Sequence, residues 1–255
     1  MEVTDTAATA QALAVRDSSA IGTARRAAVA RAERAGLSET VTGRVALVAT
    51  ELATNLVRHA GGGILVLQGG GERGGVEILS LDRGPGILDV GAALRDGYST
   101  GGTSGGGLGA VHRLADQAEV FSVPGSGTIV LARFAAPGGA DPTVPDLVVG
   151  GLSVPHAGES VCGDAWAAVR LPEHLAVLVV DGLGHGAPAA LAAGESVRVF
   201  RERAGVPAVQ MVEAMHAALR STRGAAVGLA EIRPRDRLLT FVGVGNIGGS
   251  VVRPG

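Results

Sequence analysis

The stretch Glu51-Leu52-Ala53-Thr54-Asn55 decides the fold of the first half of the chain. It lies in a pattern where apolar residues recur every three or four positions over residues 41–56, behind a capping Ser38, which predicts a helix. Glu51 and Asn55 are four residues apart and therefore share one helix face. A carboxylate can accept a nucleophile's proton and an amide oxygen can bind Mg²⁺. The simpler alternative is a solvated polar pair.

Two further segments carry related chemistry. Asp82-Arg83-Gly84-Pro85-Gly86 follows a strand-like run, Val76–Leu81, and an Asp at that place can accept a hydrogen bond from the exocyclic amine of a base. The glycine-rich segment 99–109 leads into a predicted short helix, 110–115, whose first amides can hold phosphates without a lysine. The alternatives are a plain turn for the first segment and a flexible linker for the second.

The composition narrows the classes of function. All 22 basic residues are arginine, which excludes a Walker P-loop and Schiff-base chemistry because both need lysine. The net charge of −2 and the absence of a basic block argue against nucleic acid as a partner. A single cysteine excludes a disulfide framework, and neither a signal peptide nor a long apolar run is visible. We therefore expect a cytoplasmic protein that contacts no membrane.

A proline- and glycine-rich stretch divides the chain into two predicted modules. Residues 1–137 alternate helical and hairpin patterns, which favours an α+β module over repeated βαβ units. Residues 138–145 are the predicted linker, and residues 146–255 carry strand patterns, two helices and a final hairpin. A last strand, Gly249–Arg253, is expected to leave an exposed sheet edge.

Acidic residues stand at one end of two strand patterns of the second module, before Trp166–Leu171 and after Leu175–Val180. Asp164 follows a glycine, and Asp181 opens the stretch Asp181-Gly182-Leu183-Gly184-His185-Gly186 after an apolar run. Carboxylates on adjacent strands can grip a pair of divalent cations, and the carbonyl oxygen of Gly182 could complete the site. Ordinary strand-end turns are the alternative. His185 is expected to stabilise its glycine-flanked turn rather than to act as a catalyst.

The order and spacing of the three N-terminal segments resemble the N, G1 and G2 boxes of the GHKL ATP-binding superfamily. The Glu-x-x-x-Asn form looks most like the anti-sigma-factor serine/threonine switch kinases of the RsbW/RsbT type. The resemblance covers about residues 10–135. It implies a GHKL α/β sandwich, in which a mixed sheet carries helices on one face.

The resemblance also implies a role for each matching residue. Glu51 is expected to act as general base toward a serine of a partner protein, and Asn55 to hold Mg²⁺ together with ATP. Asp82 would read the adenine. The remaining ATP-binding positions implied by the boxes, and by the strand that follows them, are Gly84, Gly86, Gly105, Gly107, Gly109 and Thr128.

The second module resembles the SpoIIE/RsbX-like branch of the PPM-type phosphatases. The resemblance rests on Gly163-Asp164, on the stretch 181–186 and on Gly243-Val244-Gly245-Asn246. It implies a partial α-β-β-α sandwich with a site for Mg²⁺ or Mn²⁺ at Asp164, Asp181 and Gly182. The later Ser-Asp-Gly of that branch does not follow Asn246, so the expected metal site is incomplete.

Together the resemblances imply a Mg-ATP-dependent serine/threonine kinase of a bacterial partner-switching pathway, with an appended phosphatase-like module. The expected partner is a STAS-type anti-anti-sigma factor or a related regulator. A homodimer is left open, because such kinases are often dimers. Two alternatives remain: a non-catalytic, nucleotide-gated binding switch, since the same ATP site serves both, and a metal-dependent phosphoserine phosphatase in the second module.

Overall fold

The protein divides into two compact units. The computed structural model describes the backbone of residues 2–4 and then residues 10–69, 75–94, 107–136, 147, 149–156, 159 and 161–253. One unit comprises residues 11–140, and the other comprises residues 1–10 together with 141–255. The predicted linker, 138–145, lies outside the described residues. The first ten residues, assigned from the sequence to the first module, cluster with the second unit.

Strands and helices alternate in both units. Strand β1 (Glu2–Thr4) belongs to the second unit. The elements of the first unit are β2 (Gln11–Val15), α1 (Ser18–Arg34), α2 (Glu39–His59), β3 (Gly63–Gly69), β4 (Val76–Leu81), α3 (Val90–Ala93), α4 (Gly107–Leu114), β5 (Gln117–Val123) and β6 (Gly127–Phe134). Those of the second are β7 (Asp164–Arg170), β8 (Leu175–Gly182), α5 (Ala187–Glu202), α6 (Ala208–Ala218), a 3₁₀ turn (Leu219–Ser221), β9 (Ala225–Arg233) and β10 (Leu238–Val244).

Polar caps determine where α1 and α2 begin. The side chain of Asp17 accepts a hydrogen bond from the amide of Ser19 at 2.9 Å, and that of Ser38 accepts one from the amide of Val41 at 3.3 Å. Gly36 follows α1 with a φ of +69°, the left-handed conformation that commonly ends a helix. The helices predicted from these capping residues are therefore confirmed.

The first unit is built on one five-stranded sheet in the order β2-β3-β4-β6-β5. Every described pairing in it is antiparallel. The predicted α+β class is confirmed, but the mixed sheet expected within it is wrong. Hydrophobic periodicity shows which residues face the core, but it does not show in which direction a strand such as β2 runs.

Helices α1 and α2 cover one face of this sheet. Helix α1 contributes Ala24, Ala28 and Ala32, a fully buried row of small side chains at four-residue spacing that lets the two helices approach closely. Helix α2 contributes larger side chains, among them Leu52 and Leu56, to the same core. One face of α2 is thereby buried, and its other residues remain available for a site.

The second unit also has an antiparallel sheet, in the order β1-β7-β8-β9-β10. Helices α5 and α6 pack on one face of it. On the other face Trp166 is buried, whereas Val179, Leu239 and Phe241 are exposed. Among the described residues this unit has no second sheet, so it forms one half of the expected sandwich.

The predicted last strand is wrong. Residues 249–253 form no strand and are exposed, and the edge of the sheet is β10, which pairs on one side with β9. The run is short and flanked by glycine, so its apolar pair, Val251 and Val252, finds no partner strand to cover it. Within the described part of the chain, no helix is long and apolar enough to cross a membrane.

Replacing Phe134 with alanine should destabilise the first unit by about 3–5 kcal/mol, because removal of a buried ring leaves a cavity. Phe134 is 1% exposed, and the guanidinium of Arg44 lies 5.8 Å from its ring centroid. Urea unfolding followed by far-UV circular dichroism measures the loss. The matched control is Phe121→Ala on the neighbouring strand, where the ring is 65% exposed and the expected loss is under about 1 kcal/mol. Equal losses would contradict the described core.

Candidate functional site

Asp82 joins the end of β4 to the beginning of β6. Its Oδ1 atom accepts hydrogen bonds from the amides of Gly84 at 2.8 Å and Thr128 at 3.1 Å. Its own amide donates to the carbonyl oxygen of Thr128 at 3.0 Å. Among the described residues no hydrogen bond reaches Oδ2 of Asp82, so one carboxylate oxygen is held in place while the other is available to a ligand.

Thr128 is connected in turn to the end of β5. Its hydroxyl lies 2.9 Å from Oγ of Ser122, the residue opposite it in the strand register. Ser122 also donates to the carbonyl oxygen of Gly127 at 3.0 Å and accepts from the amide of Ile87 at 2.8 Å. Sequence reasoning missed Ser122, because no local pattern shows that it faces Thr128. Only the β5–β6 register could have identified it.

The predicted glycines of this loop are required by close backbone packing. A Cβ atom on Gly84 would lie 2.8 Å from Cα of Ala60, at the end of α2. A Cβ atom on Gly86, which has a φ of +71°, would lie 2.4 Å from the carbonyl oxygen of Val123. Both distances are too short for any larger residue. These glycines therefore fix the loop against α2 and β5, whatever ligand it binds.

Glu51 and Asn55 lie one turn apart on α2, and both side chains are half-buried. Within the residues that the structure describes, neither side chain forms a hydrogen bond or an ion pair. Their neighbours Leu52 and Leu56 are buried in the core, so the pair borders the apolar face of the helix. A carboxylate and an amide without protein partners at the edge of a core are suited to a ligand and an ion.

The phosphate-binding segment is only partly described. Gly105 lies outside the described residues, whereas Gly107 begins α4 and Gly109 is buried. Helix α4 packs on α2, and Nη1 of Arg44 donates to the carbonyl oxygen of Leu114 at 2.9 Å. A Cβ atom on Gly107 would meet no atom of the described residues within 4 Å, so these residues leave space beside the first turn of α4.

The structure brings most of the predicted residues of the first unit to neighbouring elements. Asp82, Gly84, Gly86 and Thr128 form one connected group of hydrogen bonds and backbone contacts. The end of α2 reaches that group through Ala60. No described bond joins Glu51 or Asn55 to Asp82. The connection between them is indirect: the end of α2 packs against the loop that follows Asp82.

Asp164 and Asp181 lie directly opposite each other on β7 and β8. Burial raises the pKa of Asp164, and the charge of Asp181 and a hydrogen bond between the two side chains raise it further. The amide of Gly182 donates to the carbonyl oxygen of Gly163 at 3.0 Å, which closes the end of this strand pair. Two carboxylates that repel each other form a set of hard oxygen donors suited to a divalent cation.

The remaining ligands of a two-metal site are not found in the described residues. No group of three or more His, Cys, Asp or Glu side chains there is arranged to hold a metal ion. His185 instead forms an ion-pair contact with Glu159, with 2.6 Å between Nδ1 and Oε1. Gly186 beside it has a φ of +70°, and a Cβ atom there would lie 2.7 Å from Oε2 of Glu159. His185 thus supports its turn, as expected.

Comparison with known proteins identifies both halves of the chain. Residues 14–134 match the family model described as "Histidine kinase-like ATPase domain", and residues 172–255 match that of "Stage II sporulation protein E (SpoIIE)". The serine/threonine-protein kinase RsbT of Bacillus subtilis is 37% identical over 103 residues, which are 40% of this chain and 77% of that protein. The chain belongs to the RsbT family of serine/threonine-protein kinases. The predicted resemblance to switch kinases with an appended SpoIIE-like module is confirmed.

Two solved structures extend the comparison. A chain of the bacterial stressosome is 34% identical over 35% of this RsbT-family chain and 47% of its own length, with a TM-score of 0.35. RsbX, solved in complex with magnesium, is 26% identical over 37% of this chain and 48% of its own length, with a TM-score of 0.36. This chain thus spans about half of each solved protein.

Replacing Asp164 with asparagine should stabilise the second unit at neutral pH. Because the folded-state pKa of Asp164 lies above its ordinary value, the folded protein binds more protons than the unfolded chain between the two values. The free energy of unfolding therefore falls as the pH rises through that window and stays lower above it. Asparagine removes this loss. The stability that the variant gains over the wild type should therefore vanish at pH values below the ordinary pKa of an aspartate.

The fluorescence of Trp166, the sole tryptophan, follows unfolding of the second unit in this experiment. The control is Asp236→Asn in the turn between β9 and β10, which should leave the unfolding midpoint unchanged at every pH. Added Mg²⁺ should stabilise the wild type and not the Asp164 variant, since the cation neutralises the same repulsion. A variant that is no more stable than the wild type at neutral pH would refute the repulsion.

Proposed function

We propose that the first unit transfers the γ-phosphoryl group of Mg-ATP to a serine or threonine of a protein partner in the cytoplasm. The observation that carries this proposal is the Asp82 group, in which one carboxylate oxygen is fixed by two amides and the other is open. The open oxygen suits recognition of the adenine amine, because the hydrogen bonds to the other oxygen set the direction of the carboxylate before the ligand arrives. Thr128 and Ser122 would support the same pocket.

The phosphate end of the nucleotide would lie between α2 and the beginning of α4. Asn55 supplies a hard oxygen donor for Mg²⁺, and the open space beside Gly107 leaves room for phosphate oxygens at the amides of α4. Gly105 and Gly109 complete the glycine-rich segment in this proposal. The chain contains no lysine, and in this proposal backbone amides and the cation balance the phosphate charge.

Glu51 would act as the general base. The partner's hydroxyl oxygen forms a bond to the γ-phosphorus, the bond to the bridging oxygen of ADP breaks, and the hydroxyl proton passes to the Glu51 carboxylate. Glu51 stands one helical turn from Asn55, about 6 Å along the helix axis. With this spacing the base would lie beside a phosphoryl group whose cation is held by Asn55.

The partner we propose is a STAS-type anti-anti-sigma factor or a related regulator. The proposal rests on the membership in the RsbT family together with the SpoIIE-like region in the same chain. A homodimer of the first unit is compatible with this function. The division of labour that we propose is a kinase over residues 1–137, a linker over 138–145 and a phosphatase-like module over 146–255.

A second function is favoured by the acidic pair of the second unit. Asp164 and Asp181, with the carbonyl oxygen of Gly182, would bind one Mg²⁺ or Mn²⁺ ion. The bound cation would supply Lewis-acid chemistry to a phosphoester. The described residues offer no third carboxylate, so we propose a cation-binding, phosphatase-like module rather than a two-metal enzyme.

Asp82→Asn should weaken ATP binding by about 1–3 kcal/mol, since a neutral amide replaces the carboxylate that accepts from adenine. Isothermal titration calorimetry with Mg-ATP measures the change. The matched control is Asp89→Asn, seven residues further along, where the side chain caps α3 by accepting from the amide of Ala92 at 2.8 Å. If the Asp82 variant binds ATP as tightly as this control, adenine is read elsewhere.

Glu51→Gln should lower phosphotransfer by about 10²–10⁴-fold while ATP affinity is kept, because only proton transfer is lost. The measurement is incorporation of labelled phosphate from ATP into a purified STAS-type protein from the same organism. Glu39→Gln in the first turn of α2 is the control and should retain full activity. A wild type that binds the partner in the presence of ATP but transfers no phosphate would favour the binding-switch alternative.

A further inference from the structure

A groove of about 520 Å³ opens in the second unit beside helix α6 and the first residues of β9. Its floor is apolar and consists of buried side chains, namely Met215, Leu219 and Val227. Val244 of β10, which is 50% exposed, forms part of its wall. The groove exists because α6 ends before it covers the outer strand of the sheet.

The rim of this groove carries two arginines and a histidine. His216 and Arg220 are four residues apart, on α6 and on the 3₁₀ turn that follows it, and Arg223 lies two residues beyond that turn. All three line the groove together with the apolar residues of its floor. Glu213 is the acidic residue among those around the groove. Among the described residues neither Arg220 nor Arg223 forms an ion pair.

One of these arginines also borders the loop that carries Asp181. A Cβ atom on Gly184 would lie 3.1 Å from Nη1 of Arg223. The amide of Leu183 donates to the carbonyl oxygen of Gly224 at 3.0 Å, and the hydroxyl of Thr222 accepts from the amide of Gly224 at 3.0 Å. Arg223 is therefore held between two bonded residues, at the place where the groove meets the loop after the acidic pair.

We propose that this groove binds a short peptide segment in which a phosphoserine stands next to a large apolar residue. Two guanidinium groups and an imidazole present the donors that a phosphate takes, and the buried floor would cover the apolar side chain. A floor of this kind gives no advantage to a free inorganic anion, which leaves the apolar surface uncovered. The phosphoprotein that the first unit would make is the natural source, a point that rests on the proposed kinase function.

Fluorescence anisotropy tests the proposal on the full chain with a labelled peptide Gly-Leu-phosphoserine-Leu-Glu-Gly and its unphosphorylated twin. EDTA is present throughout, so no cation at Asp164 and Asp181 contributes. We expect the phosphopeptide to bind at least about tenfold more tightly than its twin, with an affinity that falls as salt is raised. The double variant Arg220→Ala/Arg223→Ala should abolish that preference.

Two controls keep the test decisive. Arg235→Ala removes an equally exposed arginine elsewhere in the second unit and should leave binding unchanged. Val244→Ser should weaken both peptides by a similar factor, because it removes apolar contact and no charge. The Trp166 fluorescence of each variant shows that the second unit is folded.

Three outcomes would overturn the proposal. They are equal binding of the two peptides, an unchanged preference in the double arginine variant, and displacement of the phosphopeptide by inorganic phosphate at an equal concentration. The last outcome would show a simple anion site. None of these measurements depends on phosphotransfer, so failure of this proposal can be distinguished from failure of the proposed kinase activity.

Discussion

The first unit depends on the carboxylate of Asp82. Three hydrogen bonds join this residue to Gly84 and Thr128, and they tie the loop after β4 to the first residues of β6. A carboxylate accepts amide hydrogen bonds strongly, and each such bond is stronger than one between neutral groups. Since β4 is the central strand of the sheet, the group fixes the loop to the most rigid part of the unit. A ligand that contacts Asp82 therefore meets a surface that needs little reorganisation.

Glycine makes this arrangement possible at two positions. At Gly127, where φ is +121°, a Cβ atom would lie 2.1 Å from the main-chain carbonyl oxygen of Asp82, so β6 can approach the backbone of Asp82 only without a side chain there. At Gly84 the same absence lets the loop touch the end of α2. At both positions the glycine makes room for neighbouring main-chain atoms, so the geometry around Asp82 is set by backbone packing.

Local rules predict the helices and most strands of this chain well. Asp17 and Ser38 predict where α1 and α2 begin, because helix capping is a contact between residues two or three positions apart in the sequence. Strand β2 is not predicted from the sequence, because Gln11–Val15 is short and its three small or polar residues give only a weak alternation of apolar and polar positions. Strand direction and the role of Ser122 depend on which strands become neighbours, and single-sequence periodicity has no information about that.

The candidate sites also differ in how far local sequence patterns predict them. Asp82, Gly84 and Thr128 could be predicted because strand ends and turns have recognisable sequence patterns. Asp164 pairs with Asp181 because the first residue of β7 lies opposite the end of the antiparallel strand β8. The arginine rim of the groove has no such sequence pattern, because His216 and Arg220 are ordinary polar positions near the end of a helical pattern until the fold brings Val244 of β10 to the same groove.

The two proposed sites would meet phosphate by different means. In the first unit, backbone amides and one cation would face a triphosphate, so binding would depend on the glycine positions around the site. In the second unit, two arginines at the rim of the groove would face the phosphate, and their planar groups select a phosphate by direction as well as by charge. An arginine rim over an apolar floor would contact both parts of such a peptide, which favours binding rather than turnover as the task of the groove.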